Sequence, residues 1–231
     1  MNIPKIIHQT WKDHKIPQHL ETFAAGWRAQ HPGWEYVLWT DEMNRQFIYD
    51  NHPHFLPVYD RYPTAIQRVD AVRYFILLKM GGLFVDLDFE CLKNVSPLLY
   101  QAEFVAGLEP QSHALHHKKH AIISNAFMAA QPGSGFVQAL CSYLERNDFI
   151  QFRGEPGFNY VLDCGGPFML TRVYEQYPDK EQLKIWGPEF LYPLEKDLDT
   201  GKLDTSNRDQ VCSADRAYAI HHYWGSWWQK A

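Results

Sequence analysis

Gly81-Gly82-Leu83-Phe84-Val85-Asp86-Leu87-Asp88 decides how this chain reads. Paired glycines stop a helix, since glycine is favoured just past a helix terminus. The apolar run Leu83-Phe84-Val85 then suits a short buried strand. In an extended segment, residues two apart point to the same side, so Asp86 and Asp88 are expected to face one place. Two such carboxylates repel unless a cation neutralises them. Hard oxygen ligands suit Mg²⁺ or Mn²⁺, which keep positions open for phosphate oxygens. The carboxyl end of a strand in an α/β sheet is also where ligands usually bind. A bare Asp-x-Asp is common in solvated loops, so the surrounding sequence must carry the argument.

Upstream, Thr64 to Met80 reads as a helix, with Ala65, Val69, Val72 and Ile76 at helical spacing and Phe75 and Leu78 widening the stripe. Asp70 and Arg73 lie three apart on it and share a face. They form either a structural ion pair or a site in which a carboxylate bonds sugar hydroxyls and an arginine meets the sugar or diphosphate. Lys5 to His8 and Trp34 to Trp39 read as strands, and Thr40-Asp41 caps a helix running from about Glu42 to Asp50. Downstream, Phe104 to Leu108 and Asn125 to Ala130 read as strands, as do Pro188 to Pro193 and Tyr218 to His222. Ser134 to Glu145 and Pro167 to Tyr177 read as helices, while Glu109 to Ala121 reads as a surface loop and Asp197 to Asp209 as a loop or hairpin. Strands alternating with helices predict an α/β sheet wrapped by helices, and 231 residues fit one domain over 1–231.

Composition narrows the function. A net charge of −5 argues against nucleic acid, which needs a basic footprint. The aromatic content of 15% suits sugar rings and nucleobases, though buried aromatics are also core material. Four separated cysteines, with no Cys-x-x-Cys pair, read as buried thiols in a reducing compartment. The longest apolar stretch, Tyr74 to Leu78, is too short to span a bilayer, which limits the expected membrane contact to a peripheral one.

Several blocks occur in one order: Ile3-Pro4-Lys5-Ile6-Ile7-His8-Gln9-Thr10-Trp11, Asp70-Ala71-Val72-Arg73-Tyr74, the Gly81 to Asp88 stretch, Ser124-Asn125-Ala126-Phe127-Met128-Ala129-Ala130, Gly165-Gly166-Pro167 and His221-His222-Tyr223-Trp224-Gly225-Ser226-Trp227. Together they resemble the DXD-containing sugar transferases of glycosyltransferase family 32. The resemblance implies a GT-A fold, a Rossmann-like mixed sheet flanked by helices. It also implies a divalent cation (Mn²⁺, with Mg²⁺ an alternative) and sugar transfer with retention of anomeric configuration. A nucleotide-sugar would be the donor, a UDP-sugar in preference to GDP-mannose, and a glycan or glycolipid the acceptor. Polysaccharide biosynthesis is the implied setting.

Carried over residue by residue, Asp70, Arg73, Asp86 and Asp88 are the expected catalytic set. Asp88 would bind the metal directly, and Asp86 would contact the ribose, the metal or both. Trp11 falls in the segment beside the base, where it would stack on the base or pack in the core. Asn125 would bond the donor sugar or cap a strand end. Gly166 would let the backbone approach the sugar or simply make a turn. His222 would complete the metal site, because neutral imidazole is a common ligand; Ser226 is a further candidate there. Trp227 or Trp228 would cover the diphosphate as a lid. His113, His116, His117 and His120 have helical spacing, but Lys118 and Lys119 among them favour a solvated or acceptor-contacting loop over a second metal site. Eukaryotic members of this family are often Golgi-anchored, and no anchor is visible here, which gives the expectation of a cytoplasmic enzyme of bacterial type. The competing readings are a catalytically silent carbohydrate- or nucleotide-binding module on the same fold, and a glycoside hydrolase. A hydrolase needs two carboxylates about 5 to 9.5 Å apart and no metal.

Overall fold

A computed structural model describes residues 2–146 and 158–225. The main sheet has six strands in the order β2-β1-β3-β6-β5-β7. In chain order these are β1 (Ile6–Thr10), β2 (Glu35–Trp39), β3 (Gly82–Val85), β5 (Phe104–Leu108), β6 (Ile123–Ala130) and β7 (Leu183–Trp186). β1 runs parallel to β2 and β3, β6 is antiparallel to β3 and β5, and β5 is parallel to β7. A second, two-stranded antiparallel sheet joins β4 (Phe89–Cys91) to β8 (Ala219–His221). The carboxyl ends of β1, β3, β5 and β7 and the amino end of β6 therefore meet at one edge.

The sheet is buried on both faces, and side chains alternate between two cores. Phe84 of β3 and Met128 of β6 face a cluster with Phe75, Phe136 and Met169. Their neighbours Val85 and Phe127 face the other cluster, with Trp27, Phe89 and Tyr192. The first layer comes from α4 (Ala65–Met80), α7 (Gly135–Arg146) and α9 (Pro167–Gln176), the second partly from α1 (Gln18–Gln30).

Gly81 and Gly82 make the reversal from α4 to β3. They adopt φ of +66° and +97°, a region open to glycine without steric cost. A Cβ on Gly81 would lie 2.8 Å from the Ala130 carbonyl oxygen, and one on Gly82 2.7 Å from that of Ile6. The buried His8 ring holds this corner. Its Nε2 donates to the Gly81 carbonyl at 2.9 Å, and its Nδ1 accepts from the Trp39 indole at 3.1 Å.

Some local expectations are corrected. The segment read as a strand over Pro188 to Pro193 contains α10 (Pro188–Leu191), because proline at the first helical turn lacks only an N–H that would be orphaned anyway. The edge strand is β7 instead, pairing in parallel with β5. The expected loop over Glu109 to Ala121 contains α6 (Gln111–His116). Within the loop or hairpin region, one antiparallel bridge joins Lys196 to Leu203, and α11 (Arg208–Ser213) begins near its end. Helices α1, α2 (Asp41–Asn51), α3 (Leu56–Arg61), α5 (Ser96–Leu99) and α8 (Phe158–Cys164) complete the set among the described residues. No described helix is long and apolar enough to cross a membrane.

Candidate active site

The site forms where α4 passes the edge at which β3 ends and β6 begins. Arg73, only 1% exposed, is its centre. Its guanidinium meets Asp70 at 3.0 Å and Asp86 at 3.2 Å, and Nη1 donates to the Asn125 carbonyl at 2.6 Å. It also lies over the Phe84 ring, 5.0 Å from the centroid. Asn125 in turn donates from Nδ2 to Asp70 Oδ1 at 2.9 Å. Asp70 Oδ1 thus carries both neighbours, which leaves Oδ2 for another donor.

Asp86 and Asp88 converge, though not by strand alternation. β3 ends at Val85, and Leu87-Asp88 form a turn in which the Phe89 N–H donates to the Asp86 carbonyl at 3.2 Å. The turn, rather than an extended segment, brings the carboxylates to one side. Trp11 helps anchor it, packing with Leu20 and Ala24 around Leu87 at the middle of the motif. Gln9 donates to the Asp86 carbonyl at 3.3 Å from the other flank.

The third member is His221. In the β4–β8 ladder His221 sits opposite Phe89, and its ring stacks on the Phe89 ring at 4.6 Å. His221 Nε2 lies 3.2 Å from Asp88 Oδ1, and the Trp224 N–H donates to Asp88 Oδ2 at 2.9 Å. One ligand atom each from Asp86, Asp88 and His221 lies within 4.8 Å of the others. His222, the expected ligand, points away: it meets Glu90 at 3.0 Å and stacks on Phe23 at 4.6 Å. Alternation along β8 separates the two rings, and the register with β4 selects His221.

The electrostatics suit a cation. Three carboxylates gather around one guanidinium and one imidazole. Burial, with the Asp88 charge adding to it, pushes Asp86 up to about 6 against the opposing pull of Arg73. Burial also raises Asp70, despite Arg73 and Asn125. For Asp88, burial is outweighed by the His221 ring and the Trp224 N–H, which hold it low. Burial would lower His221, but Asp88 outweighs it and raises the imidazole. Asp86 remains 30% exposed and so accessible. His221 Nδ1 is buried without a hydrogen-bond partner. Two carboxylates and an imidazole are a donor set that fits a divalent cation, and among the described residues no other such group occurs.

The remaining sequence candidates fall as follows. Gly166 precedes α9, and a Cβ there would lie 2.9 Å from Leu162 Cα, so close helix packing requires it. Its neighbour Gly165 borders the site: the carbonyl accepts from the Tyr74 hydroxyl at 2.8 Å, and a Cβ would lie 3.4 Å from that of Asp70. Ser226, Trp227 and Trp228 lie outside the described residues. His113 is buried between Glu109 at 3.1 Å and the Lys196 carbonyl at 3.0 Å, while His116 and His120 are exposed, so the histidine-rich segment gathers no metal site. Sequence reasoning passed over Gln9 and ranked His221 below His222; the pairing of the last strand with Phe89 was the missing information.

Comparison with known proteins gives a consistent result. A family described as "Glycosyltransferase sugar-binding region containing DXD motif" matches residues 17–105. Inositol phosphoceramide mannosyltransferase 2 of Schizosaccharomyces pombe is 37% identical over 181 residues, 78% of this chain and 48% of that one. Mannosyl phosphorylinositol ceramide synthase SUR1 of Saccharomyces cerevisiae is 34% identical over 193 residues, 81% of this chain and 47% of that one. The chain thus spans about half the length of these yeast relatives. The uncharacterized glycosyltransferase L373 of Acanthamoeba polyphaga mimivirus is 34% identical over 230 residues, 97% of this chain and 84% of that one. Among solved structures, PaToxG glycosyltransferase superposes with a TM-score of 0.59 at 14% identity, covering 76% of this chain and 70% of that one. The LgtC active-site mutant Q189E gives 0.50 at 12%, covering 94% and 87%. These likenesses identify the fold as GT-A.

The relatives also correct the expected location. A cytoplasmic, bacterial-type enzyme was inferred from a missing anchor. The yeast relatives are instead named for a ceramide lipid, and this chain spans only about half of each, so its lack of an anchor assigns no compartment.

Proposed function

This chain belongs to the DXD-containing sugar transferases of glycosyltransferase family 32, and on that premise we propose that it transfers a sugar from a nucleotide-sugar to a lipid-borne acceptor, with residues 1–231 acting as one catalytic unit. The observation that carries this reading is the cluster of Asp86, Asp88 and His221 beside the Asp70–Arg73–Asn125 network. The yeast relatives' names shift the favoured sugar to mannose and the favoured acceptor to an inositol phosphate on a ceramide. They therefore weigh against the initial preference for a UDP-sugar, and both UDP- and GDP-sugars belong in the test.

Asp86, Asp88 and His221 would hold the divalent cation, Mn²⁺ in the first instance, which supplies Lewis-acid neutralisation of charge on the leaving nucleoside diphosphate. Arg73, fixed by three acceptors, adds a preorganised positive charge where that charge develops. Asp70 presents Oδ2 to a donor-sugar hydroxyl, and Asn125 holds the carboxylate in place. Retention follows if the acceptor hydroxyl attacks the face that the diphosphate leaves, with a diphosphate oxygen accepting its proton. A glycosyl adduct trapped on Asp70 would refute that route.

The test is nucleotide release from a panel of UDP- and GDP-sugars with Mn²⁺, comparing the protein with Asp88→Ala. Release from one donor, lost in the variant and with chelator, supports the reading and names the donor. Absence of both release and Mn²⁺-dependent nucleotide binding refutes it in favour of a silent binding module.

A further inference from the structure

A second cavity, of about 430 Å³, opens at the same edge of the sheet. It lies where β5 and β7 end, beyond the Asp86 end of the sheet. Pro110 before α6, Pro188 of α10 and Val211 of α11 give it apolar walls. Glu189, Glu195 and Arg216 supply its charges. Ser112 donates to Glu195 Oε2 at 2.7 Å and so fixes that carboxylate. Glu189 and Arg216 are exposed, and among the described residues neither forms an ion pair, although they share one cavity.

Tyr192 connects this cavity to the metal-ligand cluster. It lines the cavity, and its ring lies edge-on to His221 at a centroid distance of 5.7 Å. A molecule in the cavity therefore sits one aromatic ring away from the proposed cation ligands. A glycosyl acceptor must approach from such a place, beside the donor sugar but outside the diphosphate site.

We propose that this cavity is the acceptor subsite and that it takes a phosphorylated polyol ring. The chemistry of its lining selects that class. Carboxylates accept hydrogen bonds from ring hydroxyls, and a guanidinium without a carboxylate partner suits a phosphate oxygen pair. The prolines and Val211 pack the apolar face of the ring or the start of a lipid stem. This inference rests on the transferase reading, but it can fail separately.

The probe is myo-inositol 1-phosphate, with unphosphorylated myo-inositol alongside. Saturation-transfer NMR on the full chain reads binding directly, without requiring turnover. Expected is contact from both ligands, with Arg216→Ala weakening the phosphorylated one at least about tenfold, as loss of a charged hydrogen bond does. Arg216→Lys should recover part of that loss, and Glu189→Gln should weaken both ligands. Unchanged thermal midpoints establish that the variants fold. In transfer assays the same Arg216→Ala change should raise acceptor KM with kcat largely retained. Parallel assays with phosphatidylcholine vesicles carrying inositol phosphoceramide distinguish a lipid-borne headgroup from the free phosphate, since preferential transfer to the vesicles identifies the lipid source. The proposal is overturned if wild-type protein shows no contact with inositol 1-phosphate, or if neither substitution alters it. If the phosphate binds through Arg216 while no donor is ever cleaved, the cavity assignment stands and the transferase reading falls.

Discussion

Replacing Arg73 with methionine removes the positive charge that serves three acceptors and keeps much of the side-chain volume. In the native protein Arg73 is 2% exposed at the side chain and Asp70 8%, so water cannot replace the lost contacts. Breaking a buried ion pair from one side typically costs about 3–5 kcal/mol. The Asn125 carbonyl also loses its 2.6 Å bond, and an orphaned buried acceptor costs about 1–3 kcal/mol. These losses share one network and do not simply add, so about 4 kcal/mol is the expected destabilisation. That is a large share of the roughly 5–15 kcal/mol typical of a folded domain. Urea unfolding followed by tryptophan fluorescence measures it. The double variant Arg73→Met with Asp70→Asn should recover at least about 1.5 kcal/mol relative to the single change, because an amide needs no counter-charge. A loss below about 1 kcal/mol, within the range of an exposed ion pair, would refute the buried network. So would strict additivity in the double variant.

Mn²⁺ should raise the thermal midpoint of the protein, since a ligand that binds only the folded state stabilises it. Asp88→Asn and His221→Ala should abolish that rise while His222→Ala keeps it; the opposite pattern for the two histidines would return His222 to the metal site. Gly81→Ala should cost several kcal/mol, seen as a lowered urea midpoint, because its φ of +66° and the 2.8 Å approach to the Ala130 carbonyl leave no room for a methyl group. Acid should destabilise the fold through His8. Burial lowers its pKa from 6.5 to about 4, so its stabilisation is whole above 6.5 and is lost as pH falls from there towards 4. At about 1.4 kcal/mol per pH unit this amounts to about 3 kcal/mol. The difference in stability between the protein and His8→Gln, followed by urea unfolding from pH 7 to pH 4, should shrink by that amount; parallel pH profiles would contradict it.

The parts of this architecture that are written in local sequence were legible there. Helix α4 and strand β3 announce themselves through a 3.6-residue stripe, a glycine stop and an apolar run, and the Asp70–Arg73 pairing follows from helix geometry alone. Helix α1 carries its buried residues at Leu20, Ala24 and Trp27, but these three are set among polar neighbours and only tertiary contact with Phe89 reveals them. Strand β7 is similarly hidden: it is an edge strand of four residues, and its parallel pairing with β5 is a long-range fact. The convergence of Asp86 and Asp88 was anticipated for a reason that does not apply, because a turn replaces the extended segment. The choice between His221 and His222 depends on the register of a three-residue strand, and a slip of one residue exchanges the two faces. Ring stacking on Phe89 sets that register, and it joins positions far apart in the chain.

Arg73 touches both Asp70, on the sugar side, and Asp86, on the metal side. One cation therefore couples two properties that selection would otherwise tune separately. A substitution near Asp70 that admits a new sugar also shifts how firmly Arg73 is drawn towards Asp86, and so alters ion affinity. A new donor preference would then arrive by paired changes, each harmful in the other's absence. Laboratory evolution for altered donor use should reflect this, with productive variants carrying linked substitutions around α4 and the DXD turn rather than isolated ones at either.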